Sequence, residues 1–405
     1  MAESYIVRSG KLVTVSDLGT IYDGAMVISD GKIKDIGGWN VIKDTYKDLK
    51  VFDYSNYVIT PSLVDCHTHI LEYAPGSIYP VTEATHLMGG ESLLLHTLSS
   101  GITAIGEQIC GHPECNLKFS DYKKYISNLP INISFSLNSI SIGFDHIVHF
   151  TAITGSKAVE FEMLTNEYIL GQMSELNEYP GENIFINATP ANLKDGIVPR
   201  AGEIIYSCNQ LKEIVRIFHN KNKKIGTHVA GSEGIKMALE AGFDVLHHAH
   251  GITPELTQIA SKQNTLIVAT PLGGTHLPPN SKEDIENLVV SNVTVSIATD
   301  SYLPPSNKAP WLNFDDDKLK GPETLMKLSS ASMKLLHEKG MNENEILKLI
   351  TLNGAKVLGK DKYFGSLQKG MEANFIVANG VPGIEIDDTE DIREVFFKGD
   401  RVIKK

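Results

Sequence analysis

Cysteine is scarce in this chain, positive charge is outnumbered, and long apolar runs are missing. Four cysteines, at 66, 110, 115 and 208, make no disulfide framework for 405 residues, so reduced thiols are expected. Against 49 Asp and Glu stand 37 Lys and Arg, a formal net charge of -12. Nucleic acid and anionic membrane both select a basic surface, so that balance argues against either as a partner. No stretch approaches the ~20 apolar residues that span a bilayer, and the start, MAESYIVRSG, lacks a basic segment followed by an apolar one. A cytoplasmic protein with a small-molecule partner, and a homo-oligomer, is the expectation. What is present is a hydrophobic content of 42%, enough for one large barrel and a small additional domain.

The first ~58 residues alternate β-rich runs with turn signals, as in SYIVRSGKLVTV, GAMVISDGKIKDIG and LKVFDYSNYVI. The last ~43 do the same, in GSLQKGMEANFIVANG and REVFFKGDRVIKK. Neither end is long enough to bury a core alone, so residues 1–58 and 362–405 are expected to pair as one small β-sandwich domain. Between them, over 59–361, the pattern becomes strand, loop, helix. LVDCHTHI, GITAIGEQ, NISFSLNSIS, NIFINATP, KIGTHVAG, FDVLHHAHG, TLIVATPLGG and VTVSIATDS are the strand runs. Stretches such as SCNQLKEIVRIFHNK and SEGIKMALEAG supply the helices. Eight such units indicate an α/β protein of the (β/α)8 TIM-barrel type.

Active sites of such barrels lie at the C-terminal strand ends. There the chain puts His67 and His69 (strand 1), His228 (strand 5), His247, His248 and His250 (strand 6) and Asp300 (strand 8). Residues more than 230 positions apart thus meet on one rim. Three imidazoles and a carboxylate suit Zn2+ or another divalent first-row ion such as Fe2+ or Mn2+. His247 alternates with His248 and is expected to face the helices as a packed or hydrogen-bonded core histidine.

The segments PSLVDCHTHI, GITAIGE, HVAGSEGIKMALEAGFDVLHHAHG, SIATDS and ILKLITLNGAKVLGKDKYFGSLQKGMEANFIVANGVP resemble, in order and spacing, the amidohydrolase superfamily of metal-dependent hydrolases and deaminases. The imidazolonepropionase-like and enamidase-like members are nearest. The resemblance covers nearly the whole chain. It implies metal-ligand positions at His67, His69, His228 and Asp300, and the sixth-strand histidine position at His248. Many two-metal members bridge their ions with a carboxylated lysine or a glutamate at the end of strand 4, whereas NIFINATPAN has neither. One ion per chain is therefore expected rather than two. Lys194 enters only if strand 4 is displaced.

The chemistry implied is attack by metal-activated water on a C–N bond at an sp2 carbon, with Asp300 moving the proton and His248 polarising the carbonyl. An amide or cyclic amide of the lactam, imidazolone or imide type is the leading substrate class. Deamination of an amino-heterocycle is the alternative, and usually adds a glutamate near the fifth-strand histidine. None stands within three residues after His228, and Glu233 reads as a helix-start carboxylate. A scaffold that has lost its site is the third reading, disfavoured by the full ligand set. His112 and His276, on loops after strands 2 and 7, are candidate pocket residues. Arg200 is a candidate carboxylate clamp and Tyr302 a lid contact. ICGHPEC, at 109–115, resembles half a zinc site without a partner pair.

Overall fold

A computed structural model describes residues 4–74, 80, 82–109, 119–138, 165–188, 201–309, 311–312 and 314–405. Both ends of the chain enter one sheet of seven strands. From the N-terminal part come β1 (Tyr5–Val13), β2 (Thr20–Ser29), β3 (Lys32–Gly38) and β4 (Lys50–Pro61). The eight central strands are β5 (Leu63–Thr68), β6 (Ile102–Ile109), β7 (Asn132–Leu137), β8 (Ile184–Phe185), β9 (Gly226–Ala230), β10 (Val245–His250), β11 (Leu266–Ala269) and β12 (Val295–Ile297). Then β13 (Phe375–Ala378), β14 (Ile392–Phe397) and β15 (Asp400–Lys404) return to the first sheet, in the order β15-β14-β13-β4-β1-β2-β3.

The join between the chain ends is β4 against β13, antiparallel, with Pro61 opposite Phe375 and Val58 opposite Ala378. One continuous sheet stands where two packed sheets, a β-sandwich, were expected. β4 runs past residue 58 to Pro61, and Leu63 then opens β5.

The central strands form two parallel arcs, β12-β11-β10-β9-β8 and β5-β6-β7, rather than one continuously laddered ring of eight. Their alternation with helices fits the expected barrel type. The reason for the breaks is local. β8 is only two residues long, and the Asn183 side chain, donating to Ser136 Oγ (2.8 Å) and Leu137 O (3.0 Å), spans from its start to β7. At the other seam β12 ends at Ile297, and the chain beyond it is tied to β5: the Asp300 amide donates to His67 O at 3.1 Å and the His69 amide to Ser301 O at 2.9 Å. Thr299 Oγ1 donates to Asp65 Oδ2 at 2.5 Å across the same seam.

The helices form where apolar residues recur every three to four positions. In Cys208–Asn220, Leu211, Ile214, Val215 and Phe218 are buried, and Ser207 with Gln210 makes a capping box at its start. These side chains join one extended core with strand residues such as Ile184, Val229, Leu246, Ile267 and Ile297. Burial of such a core, at roughly 25 cal/mol per Å2, holds the strand ends that carry the polar residues in place. Among the described residues no helix is long and apolar enough to cross a membrane.

Candidate metal centre

Four imidazoles and two carboxylates converge at the strand ends. His67 Nε2 lies 3.1 Å from Asp300 Oδ1 and 3.3 Å from Glu182 Oε2. His69 Nε2 lies 3.4 Å and 3.7 Å from the same two oxygens. On the far side of Glu182, Oε1 is 2.6 Å from both His228 Nδ1 and His248 Nε2. Three overlapping donor sets result, His67–His248–Asp300, His67–His69–Glu182 and Glu182–His228–His248, each with its atoms within 4.8 Å of one another. His67, Glu182, His228 and His248 are at most 2% exposed, whereas Asp300 keeps 6% and His69 8%, so the cluster opens on the side of the latter two.

These residues can hold a divalent cation. His67 Nε2 is fully buried without a hydrogen-bond partner, and it faces two carboxylate oxygens. Donors bound to one first-row ion at ~2.0–2.2 Å lie about 2.8–3.6 Å from their neighbours, close to the spacing found here. Burial opposes charge on Glu182 and Asp300. The surrounding imidazoles, His67 foremost, nevertheless hold both carboxyls well below their usual range. Burial likewise opposes charge on His67, but Glu182 and Asp300 override it and push that ring up to about 9. The pocket therefore demands positive charge, from a proton or from an ion.

Glu182 does not belong to the expected set. It sits on the turn Tyr179–Asn183 just before β8, not at the strand's far end. Glu182 N donates to Gln108 Oε1 at 3.1 Å, and Asn183 N donates to Gly181 O at 2.8 Å. Gly226 allows this segment to pass, since a Cβ there would lie 2.0 Å from Gly181 O. Strand alternation puts Glu182 in phase with Ile184 and Ile186, which pack in the helix-facing core, so periodicity gives no hint of it. The one available signal is the Pro-Gly turn with a carboxylate directly ahead of a strand. Its presence removes the premise that strand 4 brings no acidic residue to the site.

His247 is a buried, hydrogen-bonded histidine, but it does not face the helices. Its ring faces inward, with Nδ1 3.0 Å from His67 Nδ1 and Nε2 3.0 Å from Pro180 O. His247 keeps the inward phase of Val245, and His248 joins it because His248 and Ala249 take positive φ (69° and 47°) and the register with β9 shifts between His248 and His250. Consecutive histidines thus all point into the site. Burial, then the neighbouring His67, drives the His247 ring down to about 3. His250 is fully buried, with Nδ1 2.7 Å from Thr275 Oγ1.

His276 is not in the cluster. It lines a cavity of about 580 Å3 with Asn187, Glu203, Tyr206 and Glu233, and burial lowers its pKa. Tyr302 packs against the large core and over Gly321, where a Cβ would meet its ring at 2.2 Å. His112, Arg200, Lys194 and the cysteines 110 and 115 lie outside the described residues, while Cys66 and Cys208 are free thiols. Gly274 closes over the site: its φ is 109°, and a Cβ there would lie 2.1 Å from Asp300 Oδ2 and 2.5 Å from His248 Cε1.

A parallel α/β fold carrying such a rim of imidazoles and carboxylates defines a metal-dependent hydrolase. The chain belongs to the amidohydrolase family, whose profile matches residues 58–404. It is 23% identical over 410 residues to a dihydroorotase of Clostridium botulinum, covering 93% of this chain and 91% of the relative. An imidazolonepropionase of Idiomarina loihiensis is 22% identical over 95% of this chain and 94% of its own length. Among solved structures, a Xaa-Pro dipeptidase with bound methionine superposes with TM-score 0.73 at 16% identity, covering 100% of both chains. Molinate hydrolase gives 0.73 at 17%, covering 99% of this chain and 94% of its own.

Proposed function

We propose that the protein hydrolyses the C–N bond of a cyclic amide of the lactam, imidazolone or imide type, using one divalent ion held by His67, His69, Glu182 and Asp300. The observation that carries this is the pair of imidazoles each facing the same two carboxylate oxygens at 3.1–3.7 Å. Zn2+ is the expected ion, since two nitrogens and two carboxylate oxygens suit it. When bound, it supplies a Lewis acid and a nucleophile drawn from water at neutral pH.

The chain's own residues do the rest. Asp300, at the open side, accepts a proton from water and returns it to the leaving nitrogen. His228 and His248 donate to Glu182 Oε1 and so fix the direction of its other oxygen. A second ion among Glu182, His228 and His248 would require both 2.6 Å contacts to open, which favours one ion. His228, expected as a ligand, becomes a support for Glu182 in this reading. His248 polarises the carbonyl only if its bond to Glu182 is exchanged for one to substrate.

Deamination remains the second reading, because the same ion and Asp300 would serve it. The described residues offer no further carboxylate beside His228 for that step, as Glu182 is already held by two imidazoles and Glu233 is exposed. Purified protein should be loaded with Zn2+ and incubated with five- and six-membered cyclic amides, imides and imidazolones, and separately with amino-heterocycles. Ring-opened acid supports the proposal. Ammonia released with the ring intact would overturn it, and two equivalents of zinc in fully active protein would overturn the single-ion form.

A further inference from the structure

We propose that His247 is a positioning residue whose imidazole forces His67 to present Nε2, not Nδ1, as its lone pair, and ties His67 to the segment that delivers Glu182. The inference rests on an ion bound at His67 Nε2, as proposed above.

Three groups in a row, Pro180 O, His247 and His67, fix where the protons lie. The Pro180 carbonyl can only accept, so His247 Nε2, 3.0 Å away, carries the N–H. A neutral His247 then has its lone pair on Nδ1. That atom is 3.0 Å from His67 Nδ1, which must donate. A neutral His67 with its proton on Nδ1 has its lone pair on Nε2, where Asp300 Oδ1 and Glu182 Oε2 stand at 3.1 and 3.3 Å. The His67 end of the chain requires the same arrangement. An ion on Nε2 leaves Nδ1–H, Nδ1–H needs an acceptor, and the partner within reach is His247 Nδ1.

His247 therefore does for His67 what carboxylates and carbonyls do for metal-bound imidazoles generally. Here a second imidazole passes the instruction on from a backbone carbonyl. Pro180 lies two residues before Glu182, so the same ring also braces the turn that aims the acidic ligand. Ring centroids of His67 and His247 are 4.8 Å apart at 75°, an edge-on approach that suits an in-plane N–H···N bond.

The test uses the full chain with Zn2+ as the probe and compares two near-isosteric variants. Asn at 247 keeps an amide oxygen near the place of Nδ1, so H247N can still accept from His67. Gln keeps an amide nitrogen near the place of Nε2, so H247Q keeps only the Pro180 arm. Chelator competition should show H247Q holding Zn2+ about 10–100-fold more weakly than wild type, with H247N several-fold better than H247Q. Equal affinities for the two variants, with tight wild-type binding, would overturn the proposal and leave His247 a packing residue. Wild type that fails to retain Zn2+ would overturn both this inference and the single-ion reading beneath it.

A second measurement needs no variant. In 15N-histidine-labelled, zinc-loaded protein, a proton on His67 Nδ1 should show a scalar coupling across the hydrogen bond to His247 Nδ1. A zinc-loaded His67 without that protonated nitrogen, or with its proton directed elsewhere, would overturn the proposal even if neither variant folds.

Discussion

In the proposed mechanism Glu182 and Asp300 would divide the two tasks that a hydrolytic ion centre sets, because Glu182 is the more enclosed of the two, at 2% exposure against 6%. Glu182 accepts two N–H groups on Oε1 while Oε2 faces His67 and His69, so it is saturated and cannot carry protons. Replacing it in E182Q removes a charge from among four imidazoles. Zn2+ affinity should fall by at least about 10–100-fold in chelator competition, and unchanged affinity would remove Glu182 from the ligand set. Asp300 keeps 6% of its surface accessible, on the side where His69 keeps 8%. D300N should leave the fold intact but lower kcat by about 10²–10⁴-fold, the usual cost of a lost general base. A variant that keeps its zinc, by elemental analysis, and near-normal turnover would contradict the shuttle role. The histidines and Asp300 were legible in the sequence because each ends a β-rich run. Glu182 and the shared inward direction of His247 and His248 were not, since one precedes its strand and the other depends on a bulge at His248 that alternation cannot anticipate.

At the scale of elements, the site depends on two contacts made by chain that carries no metal donor. Gly274, after β11, presses its backbone against Asp300 and His248, and both its φ of 109° and the missing Cβ are required. G274A should push Asp300 out of line and lower kcat/KM by about 10²-fold with a smaller change in Tm. A variant with wild-type kinetics would mean that the loop is not in contact during turnover. The second contact is Glu107 on β6, which accepts from Thr68 Oγ1 (2.6 Å) and from the amides of Ile70 (3.1 Å) and Leu71 (2.7 Å), just after the His-x-His pair. Burial, against the pull of those donors, pushes its carboxyl up to about 7. The folded form thus holds a proton that the unfolded chain releases near 4.5. Its contribution to stability is complete below about 4.5 and is lost as pH rises through about 7. Wild type should lose stability relative to E107Q across that window in denaturant titrations, and a pH-independent difference would contradict the shift. All eight central strands are readable from their apolar runs. The two-residue length of β8 is not, because Asn183 supplies by side chain what a ladder would supply by backbone.

For the whole molecule the question is whether the terminal sheet and the barrel strands unfold together. Residues 1–58 with 362–405 are expected to act as one domain on the barrel of 59–361, because β13 pairs with the same β4 that leads through Ser62 into β5. Phe375 is the point at which to test it. It is fully buried, sits opposite Pro61, and stacks on Phe396 with ring centroids 4.3 Å apart at 12°. F375A should cost about 3–5 kcal/mol, the usual loss for a large buried aromatic side chain. The chain has two tryptophans, Trp39 beside the terminal sheet and Trp311 on the barrel side, so W39F and W311F each leave one fluorescent reporter. If the sheet and barrel are one cooperative unit, F375A should lower the unfolding midpoint by the same amount with either reporter, although the lost ring lies only in the sheet. If the Trp39 transition moves while the Trp311 transition stays, the barrel stands without its sheet. The His67 strand would then owe nothing to the chain ends that flank it.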